Sequence, residues 1–198
     1  MGRDEEMCVE DQEQLRQVEL EKYKICYDKD PTYKMGRERM IDARKVLSIP
    51  PFRGSYLDVG CGRGEMLDYA RRDLGFTRVH GTETVEGLMI MGMVTTTTVD
   101  NLPFDDNEFQ VVSMFDVIEH LNWFDVEKGC KELYRVAEKA LIITASNVSS
   151  IEQGMELHIT RKPYQEWDDY FRSVFPCEVI WCKDLSNKIN ETWLIKVR

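Results

Sequence analysis

The sequence has no run approaching the roughly 18 apolar residues of a bilayer-crossing helix, so no membrane span is expected. Residues 1–13 are acidic and polar, unlike the basic and then apolar pattern of a secretory leader. Basic charge is also short. The 26 Lys and Arg face 36 Asp and Glu, a formal net charge of −10, which counts against the broad basic face of a nucleic-acid binder. Six cysteines are present (Cys8, Cys26, Cys61, Cys130, Cys177 and Cys182), yet they form no C-x-x-C pair and no zinc-like spacing. Several lie in apolar or helical runs, where a free thiol behaves as a small hydrophobe. A reduced, cytoplasmic protein is the expectation. Repeats and low-complexity tracts are missing beyond a short threonine run at 95–98. At 198 residues the chain has the length of one domain with a sizeable core.

What is present is organised around Leu57-Asp58-Val59-Gly60-Cys61-Gly62-Arg63-Gly64-Glu65. Residues 55–59 are a short β-rich run and residues 66–70 open a helix-compatible one. The glycines between them therefore read as a strand-to-helix turn. Three glycines at alternate positions let the backbone turn sharply and leave space for a ligand against the main chain. The amides of the following helix N-terminus face that space. In an open α/β sheet this is the carboxyl end of a strand, where such folds bind ligands. A dinucleotide fingerprint would need glycine where Glu65 stands, and a P-loop would need Gly-Lys-Ser/Thr, so neither is indicated.

Upstream, residues 1 to about 30 are charge-dense with few apolar positions (Leu15, Val18, Ile25, Cys26). The pattern predicts a helix over about 11–27, either a solvated arm or a lid, broken at Asp30-Pro31. A second helix carries Met40, Ala43 and Leu47 on one face and stops at Pro50-Pro51. Its Arg39, like Arg37 or Lys34, is placed either to pair with a ligand carboxylate or to decorate an amphipathic surface. Downstream, residues 78–83 read as a second strand that holds His80 structurally and ends in Glu83. A carboxylate there is placed to accept both ribose hydroxyls of a nucleoside. Residues 94–99 read as a third strand leading to Asp100, and an acid at that point can accept the exocyclic amine of adenine. Residues 110–115 form a fourth strand that runs into Asp116-Val117-Ile118-Glu119-His120-Leu121. Val126, Cys130, Leu133 and Val136 share one helix face, and residues 141–144 continue the strands. Residues 147–160 read as a polar, irregular capping insertion that would select the substrate. A helix over 163–174 and an antiparallel hairpin (177–182 and 192–197, flanking 184–190) complete the chain.

The order LDVGCGRG, then GTE, then D-x-LPFDD-x-x-F, then a strand ending in DVIEHL resembles the small-molecule-type class I S-adenosylmethionine-dependent methyltransferases, over roughly residues 33–145. The resemblance implies an α/β, Rossmann-like, doubly wound, mostly parallel seven-stranded sheet. Helices would cover both faces, and a C-terminal antiparallel hairpin would close the sheet. The domain would span 33–198 behind a helical arm at 1–32. It implies S-adenosylmethionine as methyl donor and S-adenosylhomocysteine as product. By that resemblance Asp58, Gly60, Cys61, Gly62 and Gly64 hold the methionine part and Glu83, with neighbouring Thr84, the ribose. Asp100, Asn101 and Leu102 would line the adenine edge, Phe115 the methyl-donor channel, and Arg39 is a candidate for the donor's carboxylate. One departure stands out: families of this kind usually place a Pro-Gly-Gly turn after the next helix, whereas here Arg135-Val136-Ala137-Glu138-Lys139-Ala140 runs straight into a strand.

Methyl transfer from a sulfonium needs in-line alignment and, for a hydroxyl or amine acceptor, a base. Glu119 and His120 stand beside the expected methyl, either acting on the acceptor or fixing the loop. His158 in the capping insertion is a further catalytic candidate. Asp116, Glu119, His120 and His158 also resemble the divalent-metal sites of some quinone O-methyltransferases and small-RNA ribose methyltransferases. Trp123 and Phe124 line either the acceptor pocket or the core. The expected reaction is methyl transfer to an oxygen or nitrogen of a small-molecule acceptor. The alternatives are a metal-assisted hydroxyl or ribose O-methyltransferase and a non-catalytic adenosyl-binding subunit of a complex.

Overall fold

The computed structural model describes residues 8–30, 32–88, 92–185 and 190–197. Pro31 of the expected helix break, residues 1–7 of the arm and residues 186–189 of the final turn lie outside this range. Seven strands form one sheet in the order β3-β2-β1-β4-β5-β9-β8. β1 (Ser55–Val59), β2 (Arg78–Glu83), β3 (Val94–Thr96), β4 (Phe109–Met114) and β5 (Ala137–Ser146) are parallel, whereas β9 (Asn190–Lys196) pairs antiparallel with both β5 and β8 (Glu178–Trp181). The winding reverses between β1 and β4, which places a crevice at their carboxyl ends.

Strand alternation sorts the core into two layers. On one face Leu57, Val59, Val112, Met114, Leu141 and Ile143 pack against α4 (Trp123–Val136) and α5 (Tyr164–Val174) through Val126, Cys130, Leu133, Trp167 and Phe171. On the other, Tyr56, Val111, Ile142 and Leu194 meet α2 (Arg37–Leu47) and α3 (Glu65–Arg72) through Ala43, Val46, Leu47, Met66 and Leu67. With both faces covered, the central strands read as nearly continuous apolar runs. Truncating a fully buried side chain such as Leu133 to alanine costs about 2–5 kcal/mol in such a core.

Three local expectations change. β3 stops at Thr96, three residues before its β-branched run does, because the Thr97 hydroxyl donates to the Asn101 carbonyl (2.8 Å) and draws the chain into a turn. β5 starts at Ala137, directly after helical Val136, so the chain has no connecting turn at all there. Residues 147–160 are not irregular throughout: β6 (Ile151–Glu152) and β7 (Met155–Glu156) form a hairpin. Its turn holds Gln153 and Gly154 at φ 53° and 78°, the left-handed pair that matches strand twist. α1 spans Val9–Lys29, slightly beyond the expected helix. No helix among the described residues is long and apolar enough to cross a membrane.

Candidate active site

The glycine turn leaves β1 with Gly60, Gly62 and Gly64 at φ 74°, 52° and 81°, a region in which a side chain is strained. A Cβ on Gly60 would collide with Val117, and one on Gly62 would lie 3.2 Å from the Tyr27 hydroxyl. The amides of Gly60 and Cys61 both donate to the Thr82 carbonyl at 2.9 Å, which ties the turn to β2. Glu83, at the end of β2, accepts from the Gly62 amide through Oε2 (2.9 Å) and from the Thr84 and Val85 amides through Oε1 (2.8 and 3.2 Å). The acid therefore shapes the turn it faces. Gly81 does related work that the sequence reading did not pick out. A Cβ there would stand 2.6 Å from the Cys61 sulfur, so Gly81 makes room for Cys61 to pack. Burial pushes the Cys61 thiol well up, which keeps it protonated. Asp58 accepts from the Ser113 hydroxyl at 2.6 Å, and burial pushes its carboxyl up to about 7.

The crevice beyond the turn is a cavity of about 830 Å³, within the roughly 300–1,000 Å³ of small-molecule sites. Asp58, Gly60, Cys61, Gly62, Glu83, Thr84, Asp100, Asn101 and Phe115 all line it, as the sequence predicts. Gly64 does not line it, but serves as the left-handed N-cap of α3. Leu102 also departs from expectation. Its side chain is buried in the core and its amide donates to Glu132 Oε2 (2.9 Å), so it does not reach the cavity. The neighbouring Asn101 amide is turned onto the Thr98 carbonyl at 3.3 Å. Arg39 lines the cavity, but its Nη1 already pairs with Asp116 Oδ2 at 3.2 Å.

At the far end Glu119, His120 and His158 converge, with one ligand atom from each lying within 4.8 Å of the others. Asp116 stays out of this group. Held at φ 53°, it receives Arg39, the Thr144 hydroxyl (3.1 Å) and the Asn190 amide (3.0 Å), all on protein partners. The left-handed backbone at Asp116 turns the acid away from the group that its sequence spacing had suggested. His120 Nδ1 donates to the Leu157 carbonyl (3.0 Å) and His158 Nδ1 to the Val148 carbonyl (2.6 Å). Each ring therefore carries its hydrogen on Nδ1 and offers an Nε2 lone pair. Burial, aided by His158, pushes His120 down to about 3, and burial lowers His158 as well. Both rings are neutral at pH 7. Glu119 is completely buried; Oε1 accepts the Ser146 amide at 3.2 Å while Oε2 has no hydrogen-bond partner among the described residues. Burial, with the Asp116 charge next, raises its carboxyl well above the usual range.

α1 roofs the cavity, a contribution the sequence reading left open between arm and lid. Arg16, Leu20, Tyr23 and Tyr27 face inward. They are spaced i, i+4, i+7, i+11, one helical stripe. An apolar count misses it because its members are mixed. The Tyr23 ring meets His120 edge-on at 5.3 Å, and its buried hydroxyl has no hydrogen-bond partner among the described residues. Lys22 donates to the Glu156 carbonyl (3.1 Å), joining the helix to the β6–β7 hairpin. Of the two aromatic candidates, Trp123 packs beside Trp167 and Tyr170, and Phe124 lies under the Arg16 guanidinium.

A family model described as a methyltransferase domain matches residues 57–142. No curated protein sequence matches the chain. Among solved structures the chain is similar to 1,6-didemethyltoxoflavin-N1-methyltransferase of Burkholderia thailandensis, solved with bound 1,6-didemethyltoxoflavin and S-adenosylhomocysteine. The TM-score is 0.74 at 13% identity, covering 98% of this chain and 92% of that one. A SAM-dependent methyltransferase from Aquifex aeolicus gives 0.62 at 19% identity over 83% and 94%. The methyltransferase domain of bacterial CtHen1-CN gives 0.58 at 13% over 79% and 95%. At these identities the likeness is one of fold. The family model spans β1 through β5, the part of the sheet that carries the glycine turn, Glu83 and His120. The glycine turn, where a Cβ on Gly60 or Gly62 would press on Val117 or the Tyr27 hydroxyl, suits the close backbone approach of S-adenosylmethionine. Residues 57–142 thus match a methyltransferase domain, within a sheet of Rossmann-like methyltransferase fold.

Proposed function

We propose that the protein transfers the methyl group of S-adenosylmethionine to an oxygen or nitrogen of a small acceptor held between Phe115 and the Glu119, His120 and His158 group. The observation that carries this reading is a single cavity running from the glycine turn to both histidines beneath α1. When bound, S-adenosylmethionine supplies an activated methyl on a sulfonium. The chain's own residues supply alignment. Asp58 and the glycine turn hold the methionine end, Glu83 and Thr84 the ribose, and Asp100 the adenine amine. α1 covers the site and excludes water. The chain's acidic charge and the roofed cavity favour a small molecule over a nucleic acid.

A divalent-cation reading is favoured by a specific observation. A base whose conjugate acid has a pKa of about 3 accepts a proton poorly at pH 7, so His120 is a weak general base on its own. The same neutral Nε2 atoms and the Glu119 carboxyl, whose Oε1 lies 4.0 Å from His158 Nε2, make a suitable nitrogen and oxygen ligand set. A divalent ion there would supply Lewis acidity toward an acceptor hydroxyl. Calorimetric titration with S-adenosylmethionine, S-adenosylhomocysteine and NAD, each with and without magnesium, tests the cofactor. Micromolar binding of the adenosyl pair and none of NAD is expected, and justifies an acceptor screen with and without chelator. Absence of adenosyl binding would withdraw the reading for the isolated chain. Binding without turnover on any acceptor would favour the non-catalytic subunit.

A further inference from the structure

We propose that Arg16 is a positioning residue for adenine recognition: from α1 it holds the Asp100 carboxylate and so couples docking of this helix to binding of the adenosyl ligand. The inference rests on the reading that Asp100 accepts the adenine amine. Arg16 lies in a helix that is otherwise largely polar and exposed, yet its side chain is only 19% exposed and spans two acids. Nη2 donates to Asp100 Oδ2 at 2.7 Å, and Nε donates to Asp125 Oδ1 at 2.8 Å, with Nη2 contacting the same Asp125 oxygen. Glu13, one turn earlier on α1, is 3.6 Å away, and the Phe124 ring supports the guanidinium from below at 5.3 Å. The two acids come from different elements: Asp100 follows β3 and Asp125 lies in the first turn of α4. Burial raises the Asp125 carboxyl and Arg16 works against that rise. Without the guanidinium, two largely buried acids would stand close together with no counter-charge.

The detail that gives this clasp a role in recognition is which oxygen it uses. Arg16 takes Oδ2 of Asp100, whereas Oδ1 makes no hydrogen bond among the described residues and Asp100 itself lines the cavity, so one oxygen is pinned and the other is left for a ligand. A planar guanidinium can bridge two carboxylates at a set angle, which a lysine ammonium cannot. Arg16 therefore sets the direction in which the free oxygen points. The adenosyl ligand binds the chain with α1 docked better than the chain with α1 released, and reciprocally holds α1 down.

The test is calorimetric titration of the full chain with S-adenosylhomocysteine and with S-inosylhomocysteine, in which a carbonyl replaces the 6-amino group. The wild-type protein is expected to prefer the adenosyl ligand. Arg16→Met, of similar length without the charge, is expected to lose about tenfold of that preference, the size of a charge-assisted hydrogen bond. Its affinity for the inosyl ligand should change little. Arg16→Lys should fall between. S-adenosylhomocysteine should slow tryptic cleavage within residues 9–29 of the wild type and not of Arg16→Met. Should Arg16→Met prove poorly folded, Asp125→Asn, which loosens the anchor and leaves Asp100 intact, is expected to lose part of the preference. Full preference in Arg16→Met, or tighter S-adenosylhomocysteine binding that would make Arg16 a competitor, overturns the inference alone. A wild type that does not discriminate overturns the adenine role of Asp100 and the inference with it.

Discussion

The two ends of the cavity are built in opposite ways. The glycine end is made by residues 58–64, a single local turn, and closed by one remote side chain, Glu83, whose two oxygens accept three backbone amides. The histidine end is gathered from the segment after β4 and from beyond the β6–β7 hairpin. It is left with a bare buried carboxylate oxygen on Glu119. A ligand that makes close contact with backbone needs a shaped main chain, which a local sequence can encode. A reactive group needs electron pairs that the protein itself does not consume, and distant segments must deliver them. At the first end both oxygens of the closing acid, Glu83, are taken up by backbone amides, whereas at the second Glu119 keeps one oxygen unpaired among the described residues.

Breaking the glycine end should produce the largest effect. Gly60→Ala places a Cβ against Val117 on a backbone at φ 74°, and should cost about 2–4 kcal/mol of stability in denaturant unfolding and abolish S-adenosylhomocysteine binding. Breaking the histidine end should leave the other intact. His158→Ala should weaken Mn²⁺ binding by about 10²-fold, measured by electron paramagnetic resonance, while the affinity for S-adenosylhomocysteine stays within about twofold. Wild-type protein that binds no Mn²⁺ would end the metal reading. Glu83→Ala should show the reverse: S-adenosylhomocysteine binding at least about tenfold weaker, with Mn²⁺ binding retained. Unchanged affinity would reject the ribose assignment.

The smallest effect separates the two ends by pH. His120 titrates at about 3 when folded and near 6.5 when unfolded. Below pH 6.5 the unfolded chain takes up a proton that the folded chain refuses, so this group costs stability as pH falls toward 3. Asp58, raised to about 7, has the opposite sign: it favours the fold below about 3.8 and loses that contribution as pH rises toward 7. The wild-type profile blends the two. His120→Gln should reduce the stability lost between pH 7.5 and 5.5 by roughly 1 kcal/mol, after allowance for partial exposure of the ring.

What could be read from the sequence follows the same division. The glycine turn and Glu83 were legible because each depends on neighbours in the chain, and the doubly wound sheet followed from the resemblance that those motifs carry. The roof over the cavity was not, since Arg16, Leu20, Tyr23 and Tyr27 mix charge, aliphatic and aromatic character, and hydrophobic periodicity alone passes over them. Leu102 and Asp116 failed for local geometric reasons, a backbone amide taken by Glu132 and a left-handed turn at φ 53°. The β6–β7 hairpin did carry a signal in Gln153-Gly154, a turn pair flanked by strands too short to show alternation.

The join between α4 and β5 has a consequence for how this chain can vary in length. Val136 is helical and Ala137 is already in the sheet, so no spare residue stands between them. One residue inserted there would either turn α4 about 100° around its axis, lifting Val126, Cys130 and Leu133 off the sheet, or slide β5 by one place. Sliding would exchange Leu141 and Ile143 with Ala140 and Ile142 between the two core layers, and would carry Thr144 and Ser146 away from Asp116 and Glu119. Insertions should be admitted at the exposed Gln153–Gly154 tip and refused at this junction, so the tolerance for added residues belongs to the hairpin beyond the carboxyl end of β5.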